Sequence, residues 1–443
     1  MSETGGGRRG TDRRALWSWA LYDWAGQAYA TVIQTFVFAA YFTNRIAEDA
    51  DRATRDWSLT IGLTGFCVGL CGPVVGAIAD QAGRRKPYLA GFTLLCGLGT
   101  ASLWWITPDS GGYLPGLLLL AMATFGIQMA IIFYNAMLAD IAPRAEYGKW
   151  SGRGWALGYA GGIVCLAAVL LLFVHDRALF ELDRDRALHV RITFPFVAAW
   201  FCVFTIPLLW FTPDRKSTGL PKREALRRGL GQLRESISEL RKRRHVVRFL
   251  IARIFYMDGL ATVFALGGVY AAGTFGMGES KILYFGIALN VSAGLGAWLF
   301  SGIDDRIGSR KTVLISLVGL FGFSSLILVA PGEPSFWVFG ILLGVFVGPV
   351  QSASRSYFSH VVPPDLRTQM FGVYALAEKA TSFGGPLLVA GLASLLGSQR
   401  LALIVIPLFF LVGWVVLKGV PPAESSEAEA GGPAPDGNDT PTV

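Results

Sequence analysis

Apolar residues run through this chain in stretches of about 20, each long enough to cross a bilayer as a helix, separated by short polar loops. The first stretch, 17–42, is mostly Trp, Ala, Val, Phe and Ile, interrupted by Asp23, Gln27, Thr31 and Gln34. Those four fall at i, i+4, i+8 and i+11, which predicts one polar stripe on an otherwise lipid-compatible helix. A later stretch, Tyr256-Met257-Asp258-Gly259-Leu260-Ala261-Thr262-Val263, echoes it with an acid and a threonine one turn apart. Thr31 lies two turns after Asp23, so in both copies acid and hydroxyl share a face.

Further spans are predicted over 57–79, 87–106, 113–139, 152–174 and 192–211, which completes a set of six. A second set covers 247–273, 281–303, 312–330, 336–360, 371–395 and 400–419. Gly154, Gly158 and Gly162 recur every fourth residue in the fifth span, a face suited to close helix packing. The expected organisation is a disordered N-terminus (1–14), a six-helix bundle (15–212), a linker (213–246), a second six-helix bundle (247–420) and a disordered tail (421–443). Within the linker Leu226, Leu230, Leu233, Ile237 and Leu240 step by four and three among Arg and Lys. That pattern predicts a basic amphipathic helix lying on an anionic membrane surface; a calmodulin-type target is the alternative.

Composition supports the same class. Only 16% of the 443 residues are charged, against about a quarter in a soluble domain. The net charge of +8 does not point to nucleic acid, because the cations cluster before the first span, after the second and eighth, and in the linker. Opposite loops carry fewer, among them Arg45, Arg52, Arg55, Arg177, Arg184, Arg186 and Arg191. The bias predicts a multi-pass protein of the cytoplasmic membrane with both termini in the cytoplasm. Cys67, Cys71, Cys96, Cys165 and Cys202 all fall inside apolar spans and are read as small packing residues. The four histidines lie in loops or at span ends. No metal set, nucleotide loop or nucleophile triad is present in the sequence, so neither an enzyme nor a cofactor is expected; a proton or sodium ion is the candidate coupling ion.

The two halves match closely at the loop after their second spans. Gly76-Ala77-Ile78-Ala79-Asp80-Gln81-Ala82-Gly83-Arg84-Arg85-Lys86 corresponds to Gly302-Ile303-Asp304-Asp305-Arg306-Ile307-Gly308-Ser309-Arg310-Lys311. The pair resembles the signature loop of the major facilitator superfamily. The resemblance implies an all-α membrane protein of twelve transmembrane helices in two pseudo-symmetric six-helix bundles. It also implies a cytoplasmic gate in which Asp80 and Arg84 latch the bundles, with Gly76, Gly83, Arg85, Asp305, Gly308 and Arg310 completing it. Trp19-Ala20-Leu21-Tyr22-Asp23-Trp24-Ala25, Ser151-Gly152 before Gly161-Gly162, Tyr256-x-Asp258-Gly259 and Gln351-Ser352-Ala353-Ser354-Arg355-Ser356 resemble the vacuolar amino-acid effluxer-like (autophagy-related) family in its bacterial form. Gly26-Gln27 stands where those members usually have Asn-Ser, and Glu378 replaces a commonly small residue.

Charges inside a bilayer cost roughly 2.5–3.5 kcal/mol each on insertion scales, so they mark pathways or pair with one another. The candidates are Asp23, Asp258, Arg355, Glu378 and Lys379, joined by Gln27, Thr31, Gln128, Asn135, Thr262 and Gln351. Thr124 shares the Gln128 and Asn135 face, and Ser359 follows Gln351 and Arg355. A zwitterionic solute needs a cation for its carboxylate, which Arg355 could supply, and an acid for its amine, which Asp23 or Asp258 could supply. Structural alternatives remain: Asp23 paired with Arg13 or Arg14, Asp258 with Arg253, Arg355 as a tether between helices, and Glu378 and Lys379 paired with Asp140 or the first bundle. Taking a carboxylate out of water disfavours its charge, so the two acids are the candidate proton carriers.

The expected function is a secondary transporter of a small polar or zwitterionic solute, amino acids among the candidates, acting by alternating access as a monomer in lipid. The alternatives are a cation-coupled sugar or lipid-like solute transporter and a non-transporting receptor of the same shape. Multidrug efflux is disfavoured, since the fifth span lacks the proline of the drug-antiporter motif.

Overall fold

A computed structural model describes residues 12–108, 111–175, 177–221, 223–231, 243–379 and 384–423. Of the sequence expectations, Leu233, Ile237 and Leu240 of the linker and most of both termini lie outside the described residues.

The described chain is helical, and ten of its helices are long and apolar enough to cross a membrane. Two more helices, more polar or shorter, lie outside that set. The first, α1 (13–46), is regular over Arg13–Ala28, wider-wound over Tyr29–Phe36, regular again over Val37–Tyr41, and wide over Phe42–Ile46. The other, α3 (Lys86–Ser102), ends in a tight turn at Leu103–Trp105. Between them runs α2 (Ala50–Ala82). Then follow α4 (Tyr113–Ile141), α5 (Tyr147–Val169, continued through Leu170–Val174) and α6 (Thr193–Phe211). The second half contains α7 (Arg244–Phe275), α8 (Glu279–Ile307), α9 (Ser309–Leu328) and α10 (Glu333–Val361). It ends with α11 (Arg367–Lys379 and Gly384–Leu396) and α12 (Gln399–Lys418). Twelve apolar helices are thus described, six in each half.

Buried apolar side chains form two groups. One is built from residues between Leu16 and Leu208. The other is built from residues between Val246 and Val420, with Val68, Met129, Ile132, Ala136 and Tyr159 of the first half joined to it. Outward faces stay greasy: Leu59, Leu63, Phe66 and Leu70 of α2 are all at least half exposed and step around one side, as a lipid-facing stripe must.

Two seams join the halves. Along the first, α2 lies on α11, with Gly76 against the Thr368 carbonyl, Gly72 against Gly372, Gly69 against Leu376 and Gly65 against Lys379. Along the second, α5 lies on α8, with Gly148 against Asp304, Gly152 against Ser301 and Tyr159 against Gly294. Small residues let the backbones approach. These contacts run from the middle of α2 and of α5 to the ends nearest the α2–α3 turn, here termed the turn end. A Cβ on Gly76 would stand 2.7 Å from the Thr368 carbonyl oxygen and 2.8 Å from the Gln369 Cα, and backbone cannot yield as a side chain would. Gly76→Val is therefore expected to hold the turn end open. Cysteine cross-linking between exposed Arg84→Cys and Asp365→Cys should fall severalfold, and undiminished cross-linking would refute the steric account.

The linker helps to close this end. Thr218 donates from its nitrogen to Ala82 (3.2 Å) and from its hydroxyl to the Gln81 carbonyl (2.7 Å). A short helix over 223–231 follows, its Gly229 against Ala77 and Ile78 of α2. Leu226 and Leu230 are exposed on it.

Candidate functional site

The polar stripe of α1 lies on the glycine stripe of α5. Asp23 sits against Gly154 and Gly158, and Gln27 and Thr31 against Gly162. The wide winding that begins at Tyr29 adds to the residues per turn and rotates Gln34 off that stripe. Its amide instead donates to the Thr124 hydroxyl at 3.0 Å, which Tyr29 also meets at 2.9 Å. Gln34 and Thr124 therefore tie α1 to α4.

Asp23 meets Arg355 from the other half. Arg355 Nη1 donates to Asp23 Oδ2 at 3.1 Å and to Asn135 Oδ1 at 3.3 Å. Its Nε donates to Ser151 Oγ at 2.8 Å and its Nη2 to the Ser151 carbonyl at 2.7 Å. Tyr134 Oη donates to Asp23 Oδ2 at 2.7 Å. Trp19, Tyr134 and Trp155 surround the guanidinium with ring centroids at 4.9, 5.4 and 5.8 Å. One α10 side chain thus grips α1, α4 and α5 together, and Ser151 returns the contact by donating to the Ser352 carbonyl at 2.7 Å. Asp23 finds its cation here rather than at Arg13 or Arg14.

A second ionic cluster ties α7 to α11. Arg253 Nη2 donates to Glu378 Oε2 at 2.7 Å, and Lys379 Nζ to Glu378 Oε1 at 2.8 Å. Tyr374 lies 3.6 Å from the Arg253 guanidinium. Nε and Nη1 of Arg253 are buried with no hydrogen-bond partner among the described residues. The arginine five residues before Asp258 is thus claimed by Glu378. Asp258 is itself buried, with its carboxylate toward Gly384, where α11 resumes. Thr262 spends its hydroxyl on the Asp258 carbonyl (2.7 Å) and packs against Gly385. Gln351 donates to Tyr159 Oη at 3.1 Å, across the α5–α10 contact. Ser359 donates back to the Arg355 carbonyl at 2.9 Å. Gln128 is half-buried on α4.

The signature loops lie at the turn end, and each caps a helix of the opposite half. Asp80 accepts from the nitrogens of Thr368 (3.3 Å) and Gln369 (2.9 Å) and from the Thr368 hydroxyl (2.6 Å), in the first turn of α11. Asp305 accepts from the nitrogens of Gly148 (2.8 Å) and Lys149 (3.1 Å), in the first turn of α5. A carboxylate on the free N–H groups of a helix start satisfies orphan donors and complements the helix dipole.

The turn geometry decides which arginine takes part. Gly83 adopts φ +86°, a conformation open to glycine. Beyond it Arg84 points out to solvent, whereas Arg85 is 1% exposed. The guanidinium at the seam is therefore that of Arg85, not Arg84. It reaches Asp80 (3.3 Å), the Thr368 hydroxyl (2.7 Å), the Ala136 carbonyl (2.9 Å) and Asp140. Asp140 also receives Arg215 of the linker (2.9 Å) and Arg367 of α11 (3.1 Å). Its partners are these three arginines rather than Glu378 and Lys379. In the second loop Gly308 likewise has φ +89°, and Arg310 donates to the Lys418 carbonyl at 2.7 Å. The sequence marks Asp140 and Arg253 as ion-pair partners of other groups and Ser151 as part of a motif, but not the hub at Asp140, the roles of Ser151 and Arg253, or Tyr134.

A separate cavity of about 240 Å³ lies among α1, α7, α8, α9, α10 and α12. Aromatic and aliphatic side chains dominate it, Phe36, Phe264, Tyr270, Phe285 and Phe336 among them, with Thr35, Asn290 and Ser324 as its polar members. The charged residues of the two clusters do not line it.

Known proteins share this architecture. The profile of a family described as vacuole effluxer Atg22 like matches residues 146–431. A Bacillus subtilis (strain 168) protein named as the uncharacterized MFS-type transporter YxiO is 29% identical over 416 residues, covering 93% of this chain and 95% of that one. Autophagy-related protein 22 of Coccidioides immitis (strain RS) is 27% identical over 280 residues, 57% of this chain but only 45% of the fungal protein. Among solved structures, the proton:xylose symporter XylE superposes with a TM-score of 0.72 at 14% identity, covering 94% of this chain and 98% of that one. FucP, another major facilitator transporter, in its outward conformation, gives 0.72 at 14% identity, covering 93% and 99%. Relatives and neighbours named in this way are transporters rather than enzymes. Twelve helices in paired bundles, reciprocal signature loops and these likenesses lead to one assignment: the chain is a multi-pass membrane transporter of the major facilitator superfamily and belongs to its Atg22-like family.

Proposed function

We propose that the protein is a secondary active transporter that moves a small polar or zwitterionic solute, amino acids among them, by alternating access across the cytoplasmic membrane, with coupling to a proton at Asp23. The observation that carries this reading is the Asp23–Arg355 pair at 3.1 Å, formed between one half and the other. Opening the turn end must separate these two charges. Leaving the buried Arg355 unpaired would cost about 3–5 kcal/mol, and the partly buried Asp23 somewhat less. A zwitterion resolves the conflict, because its amine replaces the guanidinium on Asp23 while its carboxylate replaces Asp23 on Arg355. A proton on Asp23 resolves the acid's share by removing its charge. Sodium on the same carboxylate is the competing coupling ion. The cation bias of the loops supports a cytoplasmic turn end, and on that reading the seams described above close the inner side.

The test is flux into proteoliposomes under an imposed pH gradient, for wild type, Asp23→Asn and Asp258→Asn. Loss of gradient dependence in Asp23→Asn, with exchange of internal for external solute retained, is the expected result. Gradient dependence unchanged in both variants removes proton coupling, and a response to sodium alone identifies the other ion. The aromatic cavity between α1 and the second half favours the alternative cargo, a solute with an apolar body. Unlabelled sugars and amphiphiles added as competitors in the same assay decide between the two.

A further inference from the structure

Arg153 of α5 lies in a membrane-spanning helix, where Glu146 feels its charge without forming a direct ion pair with it among the described residues. Its guanidinium makes no hydrogen bond or ion pair among the described residues; it rests over Trp150 (5.1 Å) and Trp17 (5.6 Å). Glu146, two turns back, has both carboxylate oxygens occupied, by Lys149 Nζ at 2.9 Å and Trp150 Nε1 at 2.9 Å. Arg153 lines a groove of about 540 Å³ between α5 and α8, floored by Tyr159, Gly294 and Leu295 and walled by Trp17 and Trp298. A second groove shares Trp17 and Leu157 with the first and contains Arg14, whose guanidinium lies 3.5 Å from the Phe211 ring centre. Arg14 too has no acidic partner among the described residues.

Two guanidinium groups without a direct acidic partner among the described residues thus border adjoining apolar channels on the outer wall of the protein. Arg153 is only about 9 Å along α5 from its start, at 1.5 Å per residue, so it lies toward the end of the span and not at its middle. Arginine forks onto phosphate oxygens, tryptophans settle at the same level, and the channels leading away are shaped for hydrocarbon. We infer that Arg14 and Arg153 together bind the phosphate of an anionic phospholipid whose acyl chains lie in the two grooves. The site straddles the α5–α8 seam, so an occupying lipid bridges the halves and favours the closed turn end.

Native mass spectrometry of the detergent-purified full chain tests this with phosphatidylglycerol and phosphatidylcholine of matched chains. Wild type is expected to retain phosphatidylglycerol at least fivefold better, and Arg14→Gln/Arg153→Gln to lose that preference. Arg14→Lys/Arg153→Lys should keep most of it, and Arg177→Gln at the opposite end all of it. A wild type without preference, or a preference that survives the double glutamine variant, overturns the proposal. So does equal loss in the glutamine and lysine variants, which would make the arginines packing groups rather than phosphate ligands.

Discussion

Arg355→Ala is expected to abolish transport and to lower the melting temperature, the largest effect of any single substitution at the pair. Arg355 is 3% exposed and donates to Asp23, Asn135 and both oxygens of Ser151. Its removal leaves Asp23 with only the Tyr134 hydroxyl among the contacts described, an uncompensated, partly buried charge whose cost approaches the roughly 3–5 kcal/mol of a fully buried one. A loss of about 3 kcal/mol corresponds to roughly a hundredfold in any equilibrium that depends on the pair. The double variant Asp23→Asn/Arg355→Gln removes both charges and keeps the shapes. It should recover most of the melting temperature without recovering flux, because stability asks only that no charge be orphaned whereas coupling asks for a charge that can be neutralised. Additive losses in this cycle, measured by thermal unfolding in detergent, would show that Asp23 and Arg355 do not act on each other.

The charged candidates were legible because a bilayer makes each of them expensive; Asp23, Asp258, Arg355 and Glu378 stand out from their apolar runs without any structure. Their partners were not legible. Ser151 and Tyr134 look like ordinary small and aromatic span residues, and only the approach of α10 to α4 and α5 makes them ligands of a guanidinium. Arg253 seemed a local neighbour of Asp258, five residues away, until the packing of α7 on α11 gave it Glu378. Arg84 and Arg85 are adjacent and chemically identical; the left-handed Gly83 turns one to solvent and the other into the seam. The wide winding after Ala28 carries no marker in Tyr-Ala-Thr-Val-Ile, so the stripe read at α-helical spacing held through Thr31 and failed at Gln34. Periodicity therefore fixed the number of helices and the faces of the regular ones, and tertiary contact decided every pairing.

The two signature acids support a second test on a larger scale, since they perform one task at symmetric places. Asp80 caps α11 and Asp305 caps α5, so each half holds a helix start of the other. Losing such a cap costs about 0.5–2 kcal/mol, and the cost falls on the closed turn end alone, because parting the halves breaks both contacts anyway. Asp80→Ala/Asp305→Ala should therefore shift the balance between closed and open turn ends by about fivefold to several hundredfold. Each single variant should move it part of the way. Asp80→Ala should act more strongly, as it also deprives Arg85 of a partner at 3.3 Å and Thr368 of its hydroxyl acceptor. Spin labels at exposed positions 84 and 365, in a background without the five native cysteines, report this directly as a second, longer distance in pulsed electron resonance. A distance distribution unchanged in the double variant would mean that Asp140, with Arg85, Arg215 and Arg367 around it, closes the turn end unaided.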